Sequence, residues 1–106
     1  MSPTPAERER LAAQSRLTKA QVDAITKRFD RMDARSEVGP WTRRTLQLIG
    51  EQPGVVSTVL ARQMKRERLA FKALVRRLKD LGLTYSLEVG YCLSPRGRAY
   101  LKASAD

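Results

Sequence analysis

The chain has 106 residues with a formal net charge of +10, so it forms one domain with a modest core and favours a polyanionic partner. It has no histidine, one cysteine and no glycine-rich phosphate loop, which argues against metal sites, Cys–His or Ser–His–Asp catalysis and cofactors; we expect no enzyme. No run of 18 apolar residues occurs, the N-terminus lacks a secretory signal and the lone thiol fits a reducing compartment, so we expect a cytoplasmic protein with no membrane contact.

Two helices are predicted in the first 39 residues. The segment TPAE at 4–7 matches a capping box with proline in the first helical position, which predicts a helix from Pro5. Thr18 with Gln21 gives a second start signal and predicts a helix from about Lys19 to Arg35. The acids of this region alternate with basic residues, a pattern typical of solvated salt-bridge partners.

The second of these helices carries a narrow apolar stripe with two interpretations. Packing on the rest of the same chain would complete a small core, whereas packing against a second copy would make a dimer interface. Both interpretations can be partly true. We predict a dimer interface formed by Leu17, Val22, Ile25, Phe29 and Met32.

A third helix is predicted after the connector Ser36–Gly39, because Gly39-Pro40 marks a helix start. Its apolar face favours Trp41 as a core or interface anchor over a base-stacking platform. Arg43 and Arg44 either contact phosphate or are solvated, with neither alternative favoured. The segment 52–54, Gln-Pro-Gly, ends this helix.

Two short amphipathic helices follow between residues 56 and 83. The first starts at a cap provided by Ser57 or Thr58, and a polar break at 65–67 separates it from the second. If the chain turns through a left-handed conformation at Lys65, we expect a cost of about 1 kcal/mol. Gly82 ends the second helix. The second helix buries one stripe, which consists of Phe71, Leu74, Val75, Leu78 and Leu81. This order of helices is the helix-turn-helix pattern.

Positive charge is concentrated on and beside the second of these helices. Residues 61–80 hold eight Lys or Arg against two acids, a net charge of +6, whereas residues 1–40 hold eight against six, a net charge of +2. More than half of the excess charge therefore lies in this segment. Such concentration is typical of a surface that contacts phosphates.

A hairpin and a final helix complete the chain. Alternation around Tyr85 and Tyr91 predicts two strands, joined by a turn at 88–90. Ser94-Pro95 is a cap followed by proline and predicts the last helix. Cys92 lies on the second strand, where we interpret it as a half-buried hydrophobic residue and not a redox sensor.

The segments TLQLIGEQPGVVSTVLARQM, RERLAFKALVRRLKDLGL and YCLSPRGRAYL resemble winged-helix transcription regulators of the MarR and PadR type. The resemblance covers roughly residues 40–101. It implies a mainly α, α+β fold: an N-terminal helical extension at 1–39 for dimerisation, then a winged helix-turn-helix domain at 40–103 with a two-stranded wing. It also implies double-stranded DNA as the partner and a homodimer as the acting form. Glu88 at the hairpin tip would be repelled by phosphates, so we do not expect the wing to enter a minor groove.

Roles on DNA follow from placing the second helix of the motif in the major groove. Arg68 and Lys72 match the acceptors of guanine edges, and Leu69 can contact a thymine methyl group. The remaining predicted contacts, to phosphates and at the turn, are Arg62, Arg66, Arg76 and Lys65.

We therefore expect a cytoplasmic, nucleoid-associated transcription regulator, most simply a repressor. Two alternatives stay open: an architectural or recombination-accessory DNA-binding protein of phage or plasmid type, and a winged helix that binds an acidic protein. No small-molecule effector is indicated.

Overall fold

The structure is a computed structural model that describes residues 3–36 and 39–105. The described residues are mainly helical with one small antiparallel sheet, which confirms the α+β class. The elements in chain order are α1 (Pro5–Ala12), α2 (Lys19–Ala34), α3 (Thr42–Glu51), α4 (Ser57–Gln63), α5 (Arg68–Asp80), β1 (Thr84–Ser86), β2 (Tyr91–Leu93) and α6 (Pro95–Ala103).

The first two helices start where the sequence predicts. The Thr4 hydroxyl accepts a hydrogen bond from the backbone N–H of Glu7 at 3.2 Å. At α2 the capping box is complete, because the Thr18 hydroxyl accepts from Gln21 N at 3.1 Å and Gln21 Oε1 accepts from Thr18 N at 2.8 Å. Local chemistry alone therefore fixes both starts.

Helix α3 starts at Thr42 and not at Pro40 as predicted. The reason is Asp33, whose Oδ1 accepts hydrogen bonds from Trp41 N at 3.1 Å, Thr42 N at 3.1 Å and the Thr42 hydroxyl at 2.6 Å. Asp33 is therefore a long-range cap for α3, and the prediction that this acid is a solvated salt-bridge partner was wrong. Residues 37 and 38 of the predicted connector lie outside the described residues.

The predicted cap of α4 is wrong as well. Val56 occupies the N-cap position without a side-chain hydrogen bond, and Ser57 is the first helical residue. In the turn into α5, Lys65 is left-handed with a φ of 56°. Glu67 then caps α5 by accepting from Ala70 N at 2.7 Å, and Gly82 follows α5 with a φ of 74°.

Strands β1 and β2 form a hairpin with Tyr85 opposite Cys92. Leu83 is fully buried before β1, but Tyr85, Leu87 and Val89 are exposed by 37%, 45% and 58%. The apolar alternation after Leu83 therefore does not mark a buried face in the first half of the hairpin. The second half is held to the body of the protein, because Gly90 lies against the backbone of Gly54 and Val55 and Leu93 is buried.

A single core joins the N-terminal helices to the rest of the chain. Ile25 and Phe29 of α2 are each only 3% exposed, and Phe29 meets the ring of Tyr100 edge-on with centroids 5.1 Å apart. The Thr26 and Tyr100 hydroxyls are hydrogen-bonded at 2.7 Å between α2 and α6. Residues of the predicted ranges 1–39 and 40–103 thus share one core.

The apolar stripe of α2 is consequently used within the chain. Leu17, Val22 and Met32 are partly buried against the same core as Ile25 and Phe29. The intrachain interpretation is confirmed for Ile25 and Phe29, which a second copy could not reach without opening the core.

Among the described residues, no helix is long and apolar enough to cross a membrane.

Candidate nucleic-acid interface

Helix α5 lies on the core by one side only. Its four buried residues are Phe71, Leu74, Val75 and Leu78, each at most 5% exposed. These positions recur at helical spacing, so the opposite side of the helix faces solvent from Arg68 to Arg77. Glu67 at the N-terminus and Gly82 after the C-terminus define the ends of this surface.

The solvent side of α5 carries the predicted cations. Arg68, Lys72 and Arg76 are all exposed, and Leu69 between them is 64% exposed. Within residues 3–36 and 39–105, none of these three cations has an ion pair or a side-chain hydrogen bond. We call these four residues the α5 outer face: it presents unneutralised charge around one exposed apolar side chain.

The flanks of this face differ from each other. Helical periodicity places Arg68, Lys72 and Lys79 on one side of α5 and Ala70, Ala73 and Arg77 on the other. On the first side, Lys72, Arg76 and Lys79 share a shallow cavity of about 360 Å³ with Arg8, Ser86 and Tyr91. The charge of α5 thus continues towards the hairpin.

Helix α1 covers only the C-terminal end of this region. Arg8 forms an ion pair with Asp80 at 3.2 Å, at the last residue of α5. This pair neutralises the one acid within α5. The N-terminal half of the α5 outer face is left open to a partner.

Arg66 is not part of the α5 outer face, although the sequence predicted a phosphate contact for it. Its guanidinium carbon lies 4.8 Å from the centre of the Trp41 ring, and the side chain is partly buried. Trp41 is in turn packed against the core, with its ring centroid 6.3 Å from that of Phe71. The anchoring role predicted for Trp41 is confirmed.

Arg43 and Arg44 engage other residues of the chain. Nη2 of Arg43 donates to Ser104 Oγ at 3.3 Å and to the Leu101 carbonyl at 3.5 Å, which ties α3 to the end of α6. Arg44 forms an exposed ion pair with Glu51 at 3.3 Å. Arg62 and Lys65, by contrast, are both exposed at the end of α4 and in the turn that follows it.

Sequence reasoning missed a second group of cations. Arg28, Arg31 and Arg35 of α2 surround a cavity of about 310 Å³ together with Met32 and Arg77. The signal was available in the spacing of the three α2 arginines, which places them on one edge of the helix. The regular alternation of acids and bases along the sequence concealed this segregation.

Arg96 and Cys92 lie apart from this surface. Arg96 at the start of α6 is 9% exposed and donates to Gln14 Oε1 at 3.0 Å; burial lowers the pKa of its guanidinium. Cys92 is a half-buried free thiol. The described residues contain no group of three His, Cys, Asp or Glu side chains able to hold a metal ion.

No protein-family model matches this chain, and no curated protein is significantly similar to it.

Proposed function

We propose that this protein is a winged-helix regulator that binds double-stranded DNA through α5. The observation that carries the proposal is the α5 outer face: Arg68, Lys72 and Arg76 are exposed and unpaired on a helix whose other side is buried. Three like charges on consecutive turns repel one another, and the phosphates of a duplex relieve that repulsion by neutralising them. The counterions that the duplex releases add a favourable entropy of binding. The arrangement of α3, α4, α5, hairpin and α6 supports the same proposal, because it is the order of elements in a winged helix.

In this proposal α5 enters the major groove with its N-terminal part nearest the bases. Arg68 and Lys72 donate to guanine O6 and N7, and Leu69 packs on a thymine methyl group. Arg76, Arg62 and Lys65 contact phosphates and fix the register of the protein on the duplex. Arg66 supports α5 through Trp41, and the exposed Glu88 keeps the hairpin tip off the phosphates.

We further propose that the acting form is a homodimer and that its regulatory role is repression. Ile25 and Phe29 cannot form the dimer contact, because they belong to the core of each copy. A dimer of this chain would use other surfaces, with the partly exposed Leu17, Val22 and Met32 as the remaining contribution from the predicted stripe.

The proposal is tested by selecting bound duplexes from a random pool at physiological salt. A regulator yields one preferred sequence, repeated as a palindrome with half-sites about one helical turn apart if the protein binds as a dimer. An architectural protein yields duplexes without a shared sequence, and a protein-interaction module yields no enrichment over unbound DNA. The last outcome contradicts DNA binding, and the second contradicts the regulator.

A matched pair of triple variants locates the interface. Arg68→Gln, Lys72→Gln and Arg76→Gln remove three charges from the α5 outer face, whereas Arg16→Gln, Lys19→Gln and Lys102→Gln remove three exposed charges before and at the start of α2 and on α6. We expect the first variant to lose duplex binding and the second to retain it. Equal losses would show that only total charge matters and that α5 is not the interface.

A further inference from the structure

Three arginines of α2 and its C-cap are segregated to one edge of the helix. Arg28, Arg31 and Arg35 lie together on that edge, while Asp23 and Asp30 lie on the other side of the exposed surface. None of these three arginines has an ion pair within the described residues. We call them the α2 arginine edge.

The α2 arginine edge faces one flank of α5. Its three arginines share a cavity of about 310 Å³ with Arg77, which extends from α5. Arg35 and Arg77 also line the neighbouring groove of about 510 Å³, where the single acid among the lining residues is Glu67. That carboxylate caps the start of α5 by accepting a hydrogen bond from Ala70 N, and it forms no ion pair with any of the four arginines. Four unpaired guanidinium groups around one cavity favour an anionic partner.

The geometry of a helix in a groove indicates which anion this is. An α-helix with its side chains is about 10–12 Å across and the major groove is about 12 Å wide, so a phosphate strand lies along each side of an inserted helix. On one side of α5, Arg68, Lys72 and Lys79 can contact the phosphate strand. On the other side, next to Ala70 and Ala73, the only cation of α5 is Arg77. The α2 arginine edge lies beside this second, poorly charged side.

Resting on the proposed function, we propose that the α2 arginine edge binds the second phosphate strand of the duplex that α5 enters. Arg28, Arg31 and Arg35 act with Arg77 as a phosphate clamp, so the N-terminal part of the chain belongs to the DNA-binding surface. These contacts carry no sequence information; they add affinity and fix the angle of α5 in the groove.

The test compares two charge-matched variants of the full chain on a fluorescein-labelled duplex of mixed sequence. The first variant carries Arg28→Gln and Arg31→Gln, and the control carries Lys19→Gln and Lys102→Gln, which remove two exposed charges at the start of α2 and on α6. Fluorescence anisotropy gives the affinity at several salt concentrations. Each lost phosphate contact lowers the slope of log affinity against log salt by about 0.9, so we expect a decrease of about 1.8 for the arginine variant and little change for the control.

A charge-preserving variant guards against a structural cause. The variant with Arg28→Lys and Arg31→Lys keeps both charges, so it should keep most of the salt slope. If the glutamine variant instead lost affinity because α2 was disrupted, the lysine variant would lose as much affinity as the glutamine variant. Circular dichroism and the urea midpoint establish that each variant is folded.

The outcomes separate the inference from the proposed function. If the unaltered protein does not bind duplex, both fail. If it binds duplex and the arginine variant has the same slope as the lysine control, only the phosphate clamp is overturned. If the arginine variant loses binding to an acidic polypeptide such as polyglutamate but not to duplex, the edge serves a protein partner and the clamp is overturned.

Discussion

The guanidinium carbon of Arg66 lies 4.8 Å from the centre of the Trp41 ring. This contact joins the turn before α5 to the residue that precedes α3. The Trp41 ring also packs against that of Phe71 in the first turns of α5. One aromatic side chain therefore supports both the turn before α5 and the N-terminal half of the helix. The proposed DNA-reading part of α5 is therefore positioned by a cation–π contact as well as by the core.

A double-mutant cycle on this pair should reveal coupling between the two side chains. We expect Trp41→Leu and Arg66→Met each to lower the free energy of unfolding, and the double variant to lose about 1 kcal/mol less than the sum of the single losses. The measurement is urea unfolding of the four proteins. Strictly additive losses would show that Arg66 and Trp41 do not stabilise each other.

Asp33 should be the acid of α2 whose loss costs the most stability. Asp33→Ala leaves the Trp41 and Thr42 N–H groups and the Thr42 hydroxyl without their acceptor, so we expect a loss of about 2 kcal/mol in the free energy of unfolding. Asp30→Ala is the control, because Asp30 is exposed on the same helix and should change stability by less than about 0.5 kcal/mol. Equal effects of the two substitutions would contradict the capping role.

The features predicted best from the sequence are the helix ends that depend only on residues close together in the chain. The capping box at Thr18, the glycine after α5 and the cap at Ser94 are all local, and the structure has each where the sequence placed it. The start of α3 was misplaced because Asp33 is eight residues away from the N–H of Trp41 that it caps. Sequence periodicity does not report a contact of that kind.

The same limit applies to the candidate site. Exposure of Arg68, Lys72 and Arg76 followed from the apolar stripe of α5, since the spacing that buries one side leaves the other in solvent. The contact of Arg66 with Trp41 was not predicted, because Trp41 lies 25 positions earlier in the chain. The α2 arginine edge could not be recognised as a candidate site from the sequence, because only the folded protein places it beside Arg77.

Replacing Lys65 by glycine should separate stability from DNA affinity. Lys65 has a φ of 56°, which strains a residue with a side chain, so Lys65→Gly should raise the free energy of unfolding by about 0.5–1 kcal/mol. The same change removes an exposed charge next to α5, so we expect weaker duplex binding at low salt. Urea unfolding and fluorescence anisotropy measure the two effects. A loss of stability would show that the lysine side chain contributes more than the strain removes.

Gly97 should tolerate no side chain. A Cβ atom there would overlap the carbonyl oxygen of Leu83, which is backbone just before β1 and is held by Ser94 N at 3.1 Å. We expect Gly97→Ala to cost about 3 kcal/mol, because α6 and the hairpin must move apart. Gly50→Ala is the control: its Cβ would meet the end of the flexible Leu93 side chain at 2.7 Å, and the helix gains in propensity, so the net change should stay within about 1 kcal/mol. Thermal unfolding compares the two variants.

Leu69 offers the sharpest separation of folding from binding. Its side chain is 64% exposed in the centre of the α5 outer face, so Leu69→Glu should leave the free energy of unfolding within about 0.5 kcal/mol of its original value. The new carboxylate would face phosphates, and we expect duplex affinity to fall by about tenfold or more at physiological salt. Ala20→Glu adds the same charge in the first turn of α2, where an acid favours the helix. About 12 Å of helix separates this position from Arg28, the first residue of the α2 arginine edge. Fluorescence anisotropy should therefore show a large loss for Leu69→Glu and a small one for Ala20→Glu; similar losses would mean that net charge alone governs binding, and that α5 does not lie against the duplex.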